Sequence, residues 1–98
     1  MVVDDDEEIC VLIENYLSAS NYEVITAHDG KEGLALARRL KPFAIILDIL
    51  MPEMDGWEVL RELKTSGETA DIPVIIISVS YDRPTATALG ATGYIVLP

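Results

Sequence analysis

The sequence predicts an α/β fold, a doubly wound parallel sheet with helices on both faces, formed as a single domain over residues 1–98. Three observations carry this. Phe43-Ala44-Ile45-Ile46-Leu47 runs apolar without alternation into Asp48, the pattern of a strand buried on both faces. Val74-Ile75-Ile76-Ile77 repeats the pattern and ends in Ser78. Around these runs, apolar residues recur at three- and four-residue spacing, so helices alternate with strands.

Met1-Val2-Val3 reads as the end of a first strand. Asp4-Asp5-Asp6-Glu7-Glu8 follows, and Ile9, Leu12, Ile13, Tyr16 and Leu17 mark a helix from about Asp6 to Ala19. A cap and favourable charge at the helix N-terminus account for two or three of these acids. Their crowding, against like-charge repulsion, needs another reason. Asn21 turns the chain into a short strand, Glu23-Val24-Ile25-Thr26. His28-Asp29-Gly30 opens a second helix with Leu34, Ala37 and Leu40 on one face, stopped at Lys41-Pro42. His28 reads as a turn residue, since no second histidine exists to complete a metal site.

After the central strand, Pro52 halts regular structure and Asp55 caps a helix from Gly56 to about Ser66. That helix carries Trp57, Leu60 and Leu63 and ends at Gly67, with Trp57 packing on the sheet or rimming a surface. Beyond the fourth strand, Val74–Ser78, a short helix spans Pro84 to Leu89. Gly90-Ala91-Thr92-Gly93 then turns into a last strand, Tyr94-Ile95-Val96-Leu97, before Pro98. The order is β-α-β-α-β-α-β-α-β with right-handed crossovers.

Composition narrows the function. Half the residues are apolar, and no apolar run approaches the length of a membrane span. Acids follow Met1-Val2-Val3 where a signal peptide needs basic and then apolar residues. The single cysteine, Cys10, allows no internal disulfide and fits a reducing, cytoplasmic setting. Seven basic against seventeen acidic side chains give a net charge of −10. That charge argues against nucleic acid or membrane as a direct partner and suits cations and basic protein surfaces.

In a doubly wound sheet the strand order reverses between the first and third strands, and ligands bind in the crevice there. The first strand delivers Asp4 and Asp5 to this crevice, the third Asp48 and the fourth Ser78. The plain alternative is that Asp48 merely closes a strand. Three converging carboxylates stay ionised at low cost only with a cation among them. Hard oxygen donors in an open site favour Mg²⁺ or Mn²⁺ over zinc. One carboxylate beside such a cation, with a hydroxyl nearby, is what phosphoryl transfer to an aspartate requires.

Val2-Val3-Asp4-Asp5, the loop Asp48-x-x-Met51-Pro52-x-x-Asp55-Gly56, Ser78 after the fourth strand and Gly93-Tyr94 opening the fifth span nearly the whole chain. Through them the chain resembles the receiver domains of the two-component response-regulator family. The short link from Ser78 through Ala88-Leu89-Gly90-Ala91 to Tyr94 resembles receivers attached to hybrid histidine kinases. The resemblance implies a flavodoxin-like sheet with strand order 2-1-3-4-5, in a signalling domain rather than an enzyme. Asp48 would be the phosphoacceptor, charged from a phosphohistidine on a histidine kinase or histidine phosphotransfer protein. Asp5 would bind Mg²⁺ directly, Asp4 directly or through water, and the backbone carbonyl of Leu50 would be a further ligand. Ser78 would hydrogen-bond the phosphoryl group and Tyr94 would change rotamer in response. A packed strand residue is the plain reading of Tyr94.

Two departures stand out. The family carries a lysine just before the last proline, where this chain has Leu97. The family's fifth helix, which covers one sheet face beside the first helix, is missing here. That face is therefore expected to meet a second copy in a homodimer, a neighbouring domain or a tail. Three other readings compete. A phosphatase of the haloacid dehalogenase type wants a second carboxylate two residues after the nucleophile, where Leu50 stands. A flavin-binding module wants a first loop rich in hydroxyls and glycine, where Asp4-Asp5-Asp6 would repel phosphate. A pseudo-receiver, an interaction module without phosphorylation, is favoured by Leu97.

Overall fold

The computed structural model describes residues 1–79 and 82–97. The elements are β1 (Val2–Val3), α1 (Glu7–Ala19), β2 (Thr26–Ala27), α2 (Gly30–Leu40), β3 (Ile45–Asp48), α3 (Gly56–Thr65), β4 (Val74–Ser78), α4 (Arg83–Ala88) and β5 (Gly93–Val96). All strand pairs are parallel and form one sheet in the predicted order, β2-β1-β3-β4-β5. Val2 pairs with Thr26 on one side and Ile46 on the other. Asp48 lies opposite Ile77, and Ser78 opposite Val96. Every strand therefore ends at one edge, and the candidate side chains gather there.

Aspartates start the helices from that edge. Asp6, Asp29 and Asp55 hold extended backbone, and their side chains accept from the N–H groups of Glu8, Glu32 and Glu58 at 2.9, 2.8 and 3.0 Å. Each such cap is worth about 1 kcal/mol. It satisfies a donor that the first helical turn would otherwise leave unpaired.

One face of the sheet is well covered. Leu34 and Ala37 of α2, Val59, Leu60 and Leu63 of α3 and Ala86 of α4 pack on Val3, Ile45, Leu47, Val74, Ile76 and Tyr94. Gly33 lets α2 lie close on β1, since a Cβ there would meet Val3 Cγ2 at 2.9 Å. Trp57 packs partly buried against this core.

The other face is different. Cys10 is the one fully buried residue of α1, while Leu12 and Tyr16 are 53% and 74% exposed. A groove of about 440 Å³, lined among others by Leu17, Tyr22, Phe43, Ile46 and Ile75, opens beside α1. Among the described residues no helix follows β5.

Several boundaries differ from the sequence reading. The second strand is Thr26–Ala27 rather than Glu23–Thr26, because β1 offers two residues to pair with and they sit opposite Thr26 and Ala27. Val24 and Ile25 line the groove instead. Leu40, expected with Leu34 and Ala37, is 44% exposed and lines the same groove. The last helix and strand each begin one residue early. Pro98, which marks the place of Leu97, lies outside the described residues.

The two faces should answer mutation differently. Leu60→Ala, on the covered face, should cost about 3 kcal/mol through lost transfer energy and a cavity. Leu12→Ala, half exposed on α1, should cost no more than about 0.5 kcal/mol. Urea unfolding of both variants checks this, and equal losses would mean that α1 is packed as tightly as α3.

Candidate functional site

The end of β1 is held from several sides. The Asp4 N–H donates to the Ala27 carbonyl at 3.0 Å, and the Asp4 carboxylate accepts from the Asp6 N–H at 2.9 Å. The Cys10 thiol donates to the Asp4 carbonyl at 3.4 Å. Burial first, and then the charges of Asp4 and Glu7, push that thiol up to about 11, so it stays a donor. Asp4 is 3% exposed, and Asp5 beside it is open to solvent.

Asp48 ends β3, the strand next to β1, half-buried. One carboxylate oxygen from each of Asp4, Asp5 and Asp48 lies within 4.8 Å of the others. The predicted convergence of three acids from two strands is thus present. Burial, then the neighbouring charge of Asp4, raises the Asp48 carboxyl to about 6, with Asp5 adding to it. The Leu50 and Ile49 N–H groups oppose the rise without cancelling it. Asp4 is also raised, chiefly by burial, against the Asp6 N–H. The side-chain charges that raise Asp48, those of Asp4 and Asp5, are both negative.

The loop after β3 folds back on its own start. Glu53 has φ of +66°, and the Gly56 N–H donates to the Ile49 carbonyl at 2.8 Å. A Cβ on Gly56 would stand 2.2 Å from the Asp48 carbonyl oxygen, so only glycine lets α3 start there. Leu50 projects from the loop at 65% exposure.

Ser78 is buried at the end of β4, and its carbonyl accepts from the Leu97 N–H at 2.7 Å. Leu97 thus lies just past β5 at the same sheet edge, half-buried. Tyr94 is 6% exposed; its hydroxyl accepts from the Asp82 N–H at 3.1 Å and its carbonyl from Arg83 Nη2 at 3.2 Å. His28, read as a turn residue, pairs with Glu7 at 2.7 Å on the surface and is no member of the carboxylate cluster.

Sequence reasoning missed Cys10 beneath Asp4 and the two bonds to Tyr94. The first had a signal, an apolar thiol one turn into a helix that follows the acids. The second had none, because Arg83 and Tyr94 are eleven residues apart and no local pattern joins them.

The donor set fits a divalent cation. It offers hard anionic oxygens, close together and mutually repelling, with one open to solvent. A cation held there would offset charge beside Asp48.

Comparison with known proteins is consistent along the whole chain. The family model described as the response regulator receiver domain matches residues 1–98. A probable transcriptional regulator ycf27 of Porphyridium aerugineum is 39% identical over 98 residues, 100% of this chain and 41% of that relative. The chain spans about two fifths of the length of the first curated relatives it matches. The chemotaxis protein CheY4 of Vibrio cholerae superposes with a TM-score of 0.91 at 32% identity, over 99% of this chain and 83% of that one. The receiver domain of a signal transduction histidine kinase from Syntrophus aciditrophicus superposes at 0.89 with 29% identity, over 99% of this chain and 76% of that one.

The raised Asp48 carboxyl has a consequence for metal-free stability. The folded chain holds this proton up to pH about 6, whereas an unfolded chain releases it near pH ~4. The folded state binds more protons in that window, so stability falls as pH rises from about 4 to about 6. After allowance for solvent screening the loss should be about 1–2 kcal/mol. Urea unfolding in chelator at pH 4.5 and 7.5 reads it, and Asp48→Asn should flatten the difference. An unchanged slope in that variant would place the source elsewhere.

Proposed function

The chain belongs to the response-regulator receiver family, and from that premise we propose that it is a Mg²⁺-dependent phosphoacceptor switch centred on Asp48. The observation that carries this is the meeting of Asp4, Asp5 and Asp48 at the carboxyl edge of β1 and β3. In this reading Asp4, Asp5 and the Leu50 carbonyl hold Mg²⁺, or Mn²⁺, together with Asp48. The metal supplies positive charge for the transferring phosphoryl oxygens.

The step on this chain is a nucleophilic displacement. An Asp48 carboxylate oxygen bonds to the phosphorus of a phosphohistidine, and the phosphorus–nitrogen bond breaks. The imidazole nitrogen leaves with the electron pair, and the product is an acyl phosphate on Asp48. Asp48 must be ionised to attack, and a bound cation would favour that form against the burial and the neighbouring charge that raise it. Ser78, two strands from β1 at the same edge, donates its hydroxyl to the phosphoryl group. Tyr94 follows by changing rotamer.

The partner is a histidine kinase or histidine phosphotransfer protein, met in the cytoplasm. The net charge of −10 keeps nucleic acid and anionic membrane from direct contact. No helix among the described residues is long and apolar enough to cross a membrane. The groove beside α1 is the surface for a second copy, a neighbouring domain or a tail. The single domain spans the chain, and the activity is that of a signalling partner, not of a turning-over enzyme.

Incubation with a small phosphodonor and Mg²⁺ should add one phosphoryl mass to the intact protein. The adduct should vanish in Asp48→Asn and fall steeply in Asp5→Ala or in chelator. A wild-type chain that gains no mass under any donor would overturn the reading.

One observation favours the pseudo-receiver: Leu97, aliphatic and half-buried, stands where the family has a lysine. Phosphorylation would add roughly two negative charges near neutral pH. An ion pair at a partly buried site is worth ~1–3 kcal/mol, or roughly 5- to 150-fold in an equilibrium. Asp48 should still be phosphorylated, because nucleophile and metal ligands remain, but the shift at Ser78 and Tyr94 should be small. Leu97→Lys should enlarge the chemical-shift response to beryllofluoride at those residues. A full response in the native chain, with nothing added by the lysine, would refute the role given to the missing charge.

A further inference from the structure

Helix α4 is poorly equipped to stand alone. Its six residues, Arg83–Ala88, are too few for an isolated helix. Asp82 at the cap makes no side-chain bond to the backbone. The Asp82 carboxylate accepts instead from the Thr85 hydroxyl at 2.8 Å. Ala86 alone is buried. A cleft of about 30 Å³, lined by Arg83, Ala86, Thr87, Thr92 and Tyr94 among others, lies between α4 and β5, so that contact is loose.

Two bonds to one residue secure its N-terminus. The Asp82 N–H donates to the Tyr94 hydroxyl at 3.1 Å, and Arg83 Nη2 donates to the Tyr94 carbonyl at 3.2 Å. These respond differently to a change at Tyr94. The hydroxyl moves with the side-chain rotamer; the carbonyl belongs to the strand and does not. Both are part-buried, and the second is also charge-assisted.

We propose that Arg83 is a positioning residue of the switch: it pins α4 to β5 through the Tyr94 carbonyl, so that Tyr94 rotation tilts α4 about a fixed point without detaching it. The trigger rests on the reading of Asp48 as phosphoacceptor; the pin itself does not. Loss of the hydroxyl bond alone loosens the first turn, and loss of both loosens it further.

Amide hydrogen exchange at Ala86 and Leu89, whose N–H groups bond to the Asp82 and Thr85 carbonyls, reads the hold directly. Without any phosphoryl mimic, Arg83→Gln should lower protection at both amides by about 2- to 10-fold, as for loss of one hydrogen bond. Tyr94→Phe should do so chiefly at Ala86, and Val59 and Leu63 in α3 should not change. Arg83→Lys should recover part of the loss. With beryllofluoride in the Leu97→Lys background, where the switch response is enlarged, that variant should lose part of its α4 protection and its Arg83→Gln derivative markedly more, a combined effect that a merely structural arginine would not produce. Unchanged protection in resting Arg83→Gln would overturn the proposal, as would equal losses in the two proteins under beryllofluoride. If beryllofluoride shifts no amide around Asp48, the phosphoacceptor reading fails, while the resting comparison still decides whether Arg83 pins the helix.

Discussion

Repulsion among Asp4, Asp5 and Asp48 is the constraint that the rest of the structure must contain. One oxygen from each of the three carboxylates lies within 4.8 Å of the others, and burial, then the charge of Asp4, raises Asp48 to about 6. Left free, such groups would swing apart. Asp4 and Asp48 are held by their surroundings. Parallel pairing of β1 with β3 sets Val3 against Leu47, one residue before each acid-bearing end. The Asp6 N–H holds the Asp4 carboxylate, and the absent Cβ of Gly56 brings α3 onto the Asp48 carbonyl. Energy stored in this way is released when a cation enters, which is how a stable fold carries an unfavourable site.

Much of this was legible in the sequence because it depends on local pattern. An unbroken apolar run marks a strand covered on both faces, and β3 and β4 stand where those runs are. Asp6, Asp29 and Asp55 cap helices as an aspartate ahead of an amphipathic stretch should. With strand ends located, the topology of a doubly wound sheet brings Asp4, Asp5 and Asp48 together with no further information. What stayed hidden depends on partners distant in the chain. The short β2 follows from what β1 offers opposite it, not from the β-propensity of Val24 and Ile25. Arg83 reads as a surface cation until β5 is placed beside it.

Periodicity also said less about α1 than it seemed to promise. Ile9, Leu12, Ile13, Tyr16 and Leu17 recur as a buried face should, yet Leu12 and Tyr16 stand largely in solvent. A helical stripe records which residues would be buried if a surface were present to cover them. It does not record whether that surface lies within the same 98 residues. Leu97 shows a similar limit at the site: its identity is plain in the sequence, while its effect depends on the negative charges of Asp4 and Asp5 beside Asp48.

The capping aspartates have a consequence beyond the helices they start. In a parallel α/β sheet the helix N-termini and the strand C-termini share one edge, so Asp6, Asp29 and Asp55 add to Asp4, Asp5 and Asp48 at a single pole. Arg38, Arg39 and Lys41 lie at the far end of α2, toward the opposite pole. The molecule is therefore an electric dipole on the scale of its own diameter. Near a basic surface such a dipole feels a torque that favours turning its acidic pole toward it. Salt at physiological strength shortens the range of that torque to about 8 Å.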